Sequence, residues 1–402
     1  MILSKRSVAL ILISVLTYGT AAMAMVYYLP RYLLDLGFTT PIVQLVTTIY
    51  PLSMIFLPQL LGKYSDKIQN RNIFFILGSI GLSLFYLSLM FTENLILITL
   101  ILVFYSMCGA SYRLNFTLYQ ELTINNPKYV TYYNAITVAG WFLGSQLGGI
   151  FIDIYGVSHI FKFLFIISLF NLLVIVFIRE NRNIILEHYN NEIIENSNVS
   201  DLKNNETKNP ISNSIYFALF FRHFGVRPII TILAVLMAFH LSSDTQIGFL
   251  LGFNPLLQFF IMLLTGKVIT NRNQKYIMMT GFFLSTMAIF FYTLASDFWG
   301  FFIGQIMVSC SYAFFWNAIQ IYIAQRTNPT NKGKYLGYAN SSFFSGGFLG
   351  GLFFSFLLFS NPNYYTFMWI LMIFPLLSTL SIFIKFQSTQ KNLTNSKKDL
   401  DS

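Results

Sequence analysis

Twelve long apolar runs, separated by short polar breaks, constrain this chain of 402 residues more than any other feature. Each run reaches or approaches the roughly 20 residues that an α-helix needs to cross a bilayer. We name the runs spans 1 to 12 in chain order. They lie near residues 8–29, 41–61, 73–91, 95–118, 131–152, 158–178, 214–240, 246–265, 276–295, 298–323, 335–359 and 364–384. The sequence therefore predicts an all-α polytopic membrane protein.

The composition excludes a soluble protein. Only 10% of the residues are charged and 55% are apolar, whereas soluble domains average about 25% charged residues. The apolar runs are continuous rather than alternating, which also excludes a transmembrane β-barrel.

The basic residues indicate topology rather than nucleic-acid binding. If the N-terminus is cytoplasmic, 20 of the 25 Lys and Arg residues fall in the inner segments. The exceptions are Arg31 and Lys162 at outer span ends, and Arg113, Arg222 and Arg227 within spans. By the positive-inside rule, both termini are predicted to lie in the cytoplasm. We expect the protein in the cell membrane, surrounded by lipid and monomeric, with no nucleic-acid partner.

An internal repeat divides the chain near its middle. Cys108 matches Cys310 and Asn115 matches Asn317 at an offset of 202, and further matches follow in the same order. A parallel duplication of this kind is typical of carriers in which two bundles rock about a central site.

The repeat and the polar centre of the chain predict the domain boundaries. They are a six-helix bundle over residues 1–178, a cytoplasmic linker over 179–213, a second six-helix bundle over 214–386 and a cytoplasmic tail over 387–402.

The segment between spans 2 and 3 carries a recognisable motif. It contains Gly62, Asp66, Lys67 and Arg71 within ten residues. These residues are in register with the signature loop of the major facilitator superfamily, G-x-L-x-D-R-x-G-R-R, which the segment resembles, although Tyr64 and Gln69 depart from it. The resemblance implies two six-helix bundles and a gate, in which Asp66 lies at the N-terminus of a second-half helix. The alternative is that Lys67 and Arg71 only anchor the inner side.

Glycines recur at intervals of four in spans 5 and 11. Such stripes let two helices approach closely in lipid. The span 5 stripe also resembles the antiporter motif of the same superfamily, with Ser145 in place of its proline. The predicted helix-packing residues are Gly140, Gly144, Gly148, Gly149, Gly346, Gly350 and Gly351.

Ionisable residues within spans point to a transport pathway, because each is costly in lipid unless it faces water, a partner or a solute. Span 4 carries Arg113, and span 7 carries Arg222, His223 and Arg227. Spans 1, 4, 7 and 10 line the cavity in the superfamily, so the resemblance implies that Arg113, Arg222 and His223 contact the substrate. The alternative is that Arg222 extends to the inner interface.

Span 10 presents one polar and aromatic face at helical spacing. Gln305, Tyr312, Trp316 and Gln320 lie on this face together with Ser309. Asn317 beside them, and its repeat partner Asn115 in span 4, complete the predicted substrate contacts.

Motifs for other chemistry are absent from the sequence. The four histidines lie in different segments, and there is no HExxH pair, cysteine cluster or phosphate-binding GK[ST] loop. We therefore predict no cofactor, no metal and no enzyme activity. Coupling to a proton or cation would use Asp35, Glu121 or His223, or would not occur.

These observations predict a secondary active transporter for a small organic solute, working by alternating access. An efflux carrier for varied hydrophobic compounds is the alternative within the class. A membrane receptor or scaffold that does not transport is the alternative from another class.

Overall fold

The computed structural model describes residues 4–49, 52–68, 70–123, 127–180, 211–326 and 329–386. These residues form helices and contain no β-strand. A short 3-10 turn lies at Val157–His159. The α-helices are Lys5–Asp35, Thr40–Thr48, Leu52–Ile68, Arg71–Leu89, Leu95–Tyr112, Leu114–Leu122, Pro127–Tyr155, Ile160–Val176, Ser214–Ala238, Asp244–Val268, Gln274–Leu294, Phe298–Arg326, Pro329–Ser360 and Tyr364–Lys385.

Twelve segments of the described chain are long and apolar enough to cross a membrane, so the predicted number of spans is confirmed. The all-α fold class is confirmed as well. The spans are Lys5–Asp35, Thr40–Leu57, Arg71–Leu89, Leu95–Leu122, Tyr132–Tyr155, Val157–Val176, Ser214–Ala238, Asp244–Thr265, Gln274–Leu294, Phe298–Ile323, Tyr335–Ser360 and Tyr364–Lys385.

The signature segment is mostly helical, which corrects its prediction as a loop. The helix Leu52–Ile68 runs through most of it, and the next helix starts at Arg71. A cut at polar residues marks where hydropathy falls. It does not mark where backbone hydrogen bonding ends, because Lys, Gln and Tyr all tolerate a helix.

Polar side chains at two of the breaks cap the N-terminus of the helix that follows. Asn94 Oδ1 accepts from the backbone N–H of Ile96 at 3.0 Å, and Asn363 Oδ1 accepts from that of Tyr365 at 3.0 Å. These bonds satisfy backbone donors that the first helical turn leaves without partners. These two breaks therefore carry specific start signals for the helices that follow them.

The helices cluster by contact into two compact units. Unit 1 comprises Met1–Met25 and Leu52–Pro210, and unit 2 comprises Val26–Pro51 and Ile211–Ser402. The units differ from the sequence halves in that residues 26–51 belong to unit 2, so the division into halves at the linker stays a prediction. Residues 181–210 of that linker, and the whole predicted tail, lie outside the described residues.

In unit 1 the glycine stripe of span 5 faces span 1. A Cβ added at Gly140 or Gly144 would collide with the backbone of Leu16 or Thr20, respectively. Gly148 and Gly149 are buried too. The backbones of spans 1 and 5 approach so closely here that no side chain larger than hydrogen fits at the first two positions.

Unit 2 repeats this packing with the glycines of span 11. A Cβ at Gly346 or Gly350 would collide with the backbone of Phe220 or Phe224 in span 7, and one at Gly351 would meet Thr48 in span 2.

The apolar core of unit 2 lies among spans 7, 9, 10 and 12. Leu219, Phe282, Phe315 and Ile382 are fully buried in it. The side chains discussed next are positioned beside this core.

Candidate functional site

Arg222 is buried in unit 2, where it contacts spans 9 and 10. It is the ninth of the 25 residues of span 7 and is 2% exposed. Its Nε donates to Ser285 Oγ at 3.1 Å, and Ser285 Oγ lies 2.5 Å from Ser311 Oγ. Both serines lie near the middle of their spans. The side chain therefore points into the helix bundle, and the alternative that Arg222 extends to the inner interface is wrong.

His223 holds the other end of the guanidinium. Arg222 Nη1 lies 2.9 Å from His223 Nε2, and His223 Nδ1 lies 3.3 Å from the carbonyl oxygen of Leu219. Arginine can only donate, so Nε2 must be the acceptor and the proton of the neutral ring must be on Nδ1. His223 cannot take up a second proton without losing this bond to Arg222.

Aromatic rings surround the guanidinium. Its Cζ lies 4.8 Å from the ring centroid of Phe315 and 5.9 Å from that of Tyr312. A cation over a ring face is stabilised by the ring quadrupole. Tyr312 in turn stacks on Trp316, with centroids 5.9 Å apart.

We call the group formed by Arg222, Arg227, Tyr27, Tyr292 and Tyr312 the arginine site. Arg227 acts electrostatically on both Arg222 and Tyr27, while Tyr292 interacts with both Tyr27 and Arg222. Tyr27 and Tyr292 are almost fully buried. The Tyr292 hydroxyl has no hydrogen-bond partner among the described residues.

Arg227 also borders a narrow cleft between spans 7, 2 and 11. A Cβ at Gly347 would lie 3.0 Å from Arg227 Cγ, so this glycine makes room for the arginine. The Oε1 atom of Gln44 is buried there without a partner in the described part of the chain. The lining residues are Gln44, Thr47, Thr48, Arg227, Pro228, Thr231, Gly347 and Gly351.

The polar face predicted on span 10 divides into two groups. Gln305 is fully buried, and both polar atoms of its amide lack partners among the described residues. Ser309 Oγ instead lies 3.0 Å from Asn254 Oδ1. Gln320 is half-buried. Of this face, Tyr312 belongs to the arginine site and Gln305 lies two helical turns from Tyr312 on the same side.

The two asparagines matched by the repeat make contacts within their own units. Asn317 Nδ2 donates to Met262 O at 3.0 Å and to Thr265 Oγ1 at 2.8 Å, so both of its amide hydrogens are used. Asn115 Oδ1 accepts from Tyr133 Oη at 2.7 Å, and its Nδ2 has no partner in the described chain. A substrate contact therefore stays a prediction for both, with a free donor at Asn115 alone.

Arg113 lies where span 4 changes from one helix to the next, between Leu95–Tyr112 and Leu114–Leu122. Its side chain is exposed in unit 1 and its charge acts on Tyr133. The structure does not bring Arg113 into the arginine site, and its predicted contact with substrate stays a prediction.

The predicted gating segment ends in a buried ion pair in unit 1. Arg71 donates to both carboxylate oxygens of Glu121, with Nε–Oε2 at 3.0 Å and Nη2–Oε1 at 2.7 Å, and Nη1 donates to Ser65. Lys67 is exposed. The side-chain surroundings of Gly62 and Asp66 lie outside what the structure describes.

Glu180 connects the same region to the end of span 6. Its Oε2 accepts from the backbone N–H groups of Arg71 and Asn72 at 2.8 and 2.9 Å. A carboxylate at a helix N-terminus satisfies free donors and complements the helix dipole. The predicted inner ends of spans 3, 4 and 6 are thus held together by charge.

A second ion pair lies at the predicted outer side of unit 2. Arg31, near the end of span 1, contacts Asp244, the first residue of span 8. The hydroxyl of Ser355 in span 11 donates to the carbonyl of Pro41 at 2.8 Å. The predicted outer ends of spans 1 and 2 therefore contact spans 8 and 11.

Sequence reasoning missed Tyr27, Tyr292 and Ser285. A tyrosine is not distinctive where 18% of the residues are aromatic, and a serine pair shows no spacing because the two residues lie on different helices. Arg31 was visible as a charge at an outer span end, but nothing in the sequence joined it to Asp244.

The fold and this site define the class of the protein: an integral membrane protein with twelve spans and a buried polar site. A family model described as Major Facilitator Superfamily matches residues 10–186 and 215–400, so the chain belongs to this superfamily of transporters. The resemblance seen in the signature motif is therefore confirmed.

Solved structures of transporters share the fold over nearly their whole length. The nucleoside transporter NupG aligns with a TM-score of 0.72 at 12% identity, covering 96% of this chain and 100% of the other. The POT family transporter PepTSo gives 0.73 at 11% identity, covering 96% and 99%. The human organic anion transporter MFSD10 gives 0.66 at 14% identity, covering 94% and 99%. At these identities the likeness shows the fold alone.

The comparison of the sequence with curated proteins finds no significant match.

Proposed function

We propose that this transporter is a secondary carrier that moves a small organic solute by alternating access, with the solute bound at the arginine site. The observation that carries the proposal is the burial of Arg222 near the middle of a membrane span beside polar groups that lack partners. Ionisable groups at such depth are costly and mark solute pathways.

The internal repeat of the sequence supports alternating access, because a parallel duplication is typical of carriers in which two bundles rock about a central site. Tyr27 comes from the first sequence repeat, and Arg222, Arg227 and Tyr292 come from the second, but all four residues belong to unit 2. A solute that contacts Tyr27 and Arg222 would therefore be held by this unit. The named solutes of the transporters that share the fold, such as nucleosides, are small organic molecules.

The ion pair at the predicted outer side supplies a physical basis for gating. Arg31 and Asp244 would hold the outer ends of spans 1 and 8 together, and would separate when the outer side opens. We propose that Asp66 acts on the inner side in the opposite phase, as the signature motif implies. Both termini are proposed to be cytoplasmic, which the distribution of Lys and Arg supports.

Coupling through His223 is disfavoured by its hydrogen bond to Arg222, and coupling through Glu121 by its pairing with Arg71. Asp35, exposed at the end of span 1, stays a candidate for an ion-coupling residue. We propose that any coupling ion acts from this end or that the carrier needs none.

Counterflow in liposomes tests the proposal. The purified protein is first screened against metabolites and drugs by thermal shift, and each stabilising solute is then loaded inside the liposomes. Labelled solute should accumulate transiently in liposomes that contain the protein and not in empty ones. Binding of a solute without counterflow would contradict the proposal.

Efflux of varied hydrophobic compounds is the second candidate, favoured by an aromatic groove along span 7. The groove has a volume of about 440 Å³. Its lining residues are Asn213, Tyr216, Phe217, Phe220, Phe221 and Ser342. If this groove binds the substrate, hydrophobic drugs should dominate the stabilising solutes, and Phe220→Ala should weaken their binding more than Arg222→Gln.

A further inference from the structure

We infer that the solute bound at the arginine site is an organic anion and that Arg222 provides its counter-charge. The inference rests on the transport function proposed above and specifies the class of its substrate.

The contacts of Arg222 are all neutral. Ser285 is a hydroxyl, Phe315 and Tyr312 present ring faces, and His223 is neutral because its Nε2 accepts from the guanidinium. Dipoles and ring quadrupoles orient and partly stabilise a cation, but they leave its unit charge uncompensated in a poorly solvated place.

No described carboxylate of unit 2 compensates this charge. Asp244 pairs with Arg31, and Asp297 accepts from the backbone N–H of Gly300 at 2.8 Å. Asp35 is exposed at the end of span 1. All three carboxylates lie at helix ends, at the predicted outer side and away from the guanidinium.

A second positive charge increases the attraction for an anion. Arg227 lies one helical turn and a half beyond Arg222, and its charge acts unfavourably on that of Arg222. A negative group between them would interact favourably with both arginines. A neutral solute would leave their mutual repulsion unchanged.

The geometry of the guanidinium suits a carboxylate or a phosphate. Nε and Nη1 donate to Ser285 and His223, while Nη2 makes no hydrogen bond to any described residue. A guanidinium group donates charge-assisted hydrogen bonds to oxyanions, and these are stronger than hydrogen bonds between neutral groups. The free Tyr292 hydroxyl and the Gln305 amide can bind neutral polar substituents of the same solute.

Matched pairs of acids and neutral analogues test the inference on the full-length protein in detergent. The carboxylate pairs are benzoate with benzamide and succinate with succinamide. The phosphate pairs are glucose 6-phosphate with glucose and AMP with adenosine. We expect at least one acid series to raise the unfolding temperature of the wild-type protein and its neutral partners to leave it unchanged.

Variants then assign the effect to Arg222. Arg222→Gln should weaken binding of the stabilising acid by about tenfold or more, as expected for the loss of a charge-assisted hydrogen bond. Arg222→Lys should weaken it less. Arg272→Gln, which removes an exposed charge in a turn, should leave it unchanged.

Two results would overturn the inference: equal stabilisation by neutral analogues, or no stabilisation by any acid. Undiminished acid binding by Arg222→Gln would overturn the assignment as well. The first two readouts use only the wild-type protein, so misfolding of a variant does not remove the test. An acid that binds but is not transported would contradict the proposed function and keep the anion site. A neutral solute that is transported would support the proposed transport function and contradict the anion site.

Discussion

Arg71 and Glu121 form a two-pronged ion pair whose N–O distances are 3.0 and 2.7 Å. Each residue is 9% exposed, so both charges have lost most of their contact with water. The pair joins the start of span 3 to the end of span 4. Its partners lie 50 positions apart, which makes it a tertiary contact.

Removing one member of this pair should destabilise the protein strongly. Glu121→Gln leaves the Arg71 charge buried without compensation, a change that costs about 3–5 kcal/mol in buried pairs. We expect a clearly lower unfolding temperature in detergent. Glu93→Gln is the matched control, because Glu93 is exposed between spans 3 and 4. Equal stability of the two variants would show that the ion pair contributes nothing.

The outer ion pair should control access from outside. Its members are about one-fifth exposed, so losing it should shift the equilibrium by only about twofold to fivefold. In Arg31→Gln, a cysteine at the buried position Gln44 should react faster with an impermeant thiol reagent by this factor. The reversed pair Arg31→Asp with Asp244→Arg should restore the slow rate. Identical labelling rates in the parent protein, Arg31→Gln and the reversed pair would show that the ion pair has no role in gating.

Glycine packing in span 11 gives a prediction with an unusual sign. Replacing a helical glycine by alanine normally stabilises a helix by about 1 kcal/mol. Gly346→Ala should instead lower the unfolding temperature, because its Cβ collides with the backbone of Phe220. Ser345→Ala, at the half-buried neighbouring position, is the control. A higher unfolding temperature for Gly346→Ala would mean that spans 7 and 11 can move apart to accept the Cβ without loss of stability.

The signature motif predicts a kinetic effect. If Asp66 holds the inner gate closed, Asp66→Asn should slow turnover more than it weakens substrate binding, because the gate and not the site is changed. Initial rates of transport and equilibrium binding, measured on the same preparation, separate the two. Lys67→Gln removes a neighbouring exposed charge and should change turnover less. Unchanged turnover in Asp66→Asn would contradict the gating role.

The number and type of the spans could be predicted from the sequence because both follow from local hydropathy. Twelve apolar runs are visible without any tertiary knowledge, and the structure has twelve spans. The helical course of the signature segment was less visible, since its polar residues resemble a loop although its backbone continues as a helix to Ile68.

The site was only partly predictable. Arg222 and His223 stand out as ionisable residues within a span, and Tyr312 was included through its helical face. The residues that surround Arg222 lie on other helices. Ser285, Phe315 and Tyr292 are 63, 93 and 70 positions away along the chain. Such contacts depend on the rotation of each helix about its axis relative to its neighbours. The spacing of residues within one helix does not determine that rotation.

Solute uptake by liposomes containing wild-type protein, Arg222→Gln or the exposed control Arg272→Gln tests the central claim most directly. The initial rate is measured with a solute that stabilises the wild-type protein, at equal amounts of folded protein. We predict transport by the wild-type protein and Arg272→Gln, and loss of transport by Arg222→Gln. Equal rates for all three proteins would contradict binding of the solute at Arg222 and would mean that the substrate binds outside the arginine site.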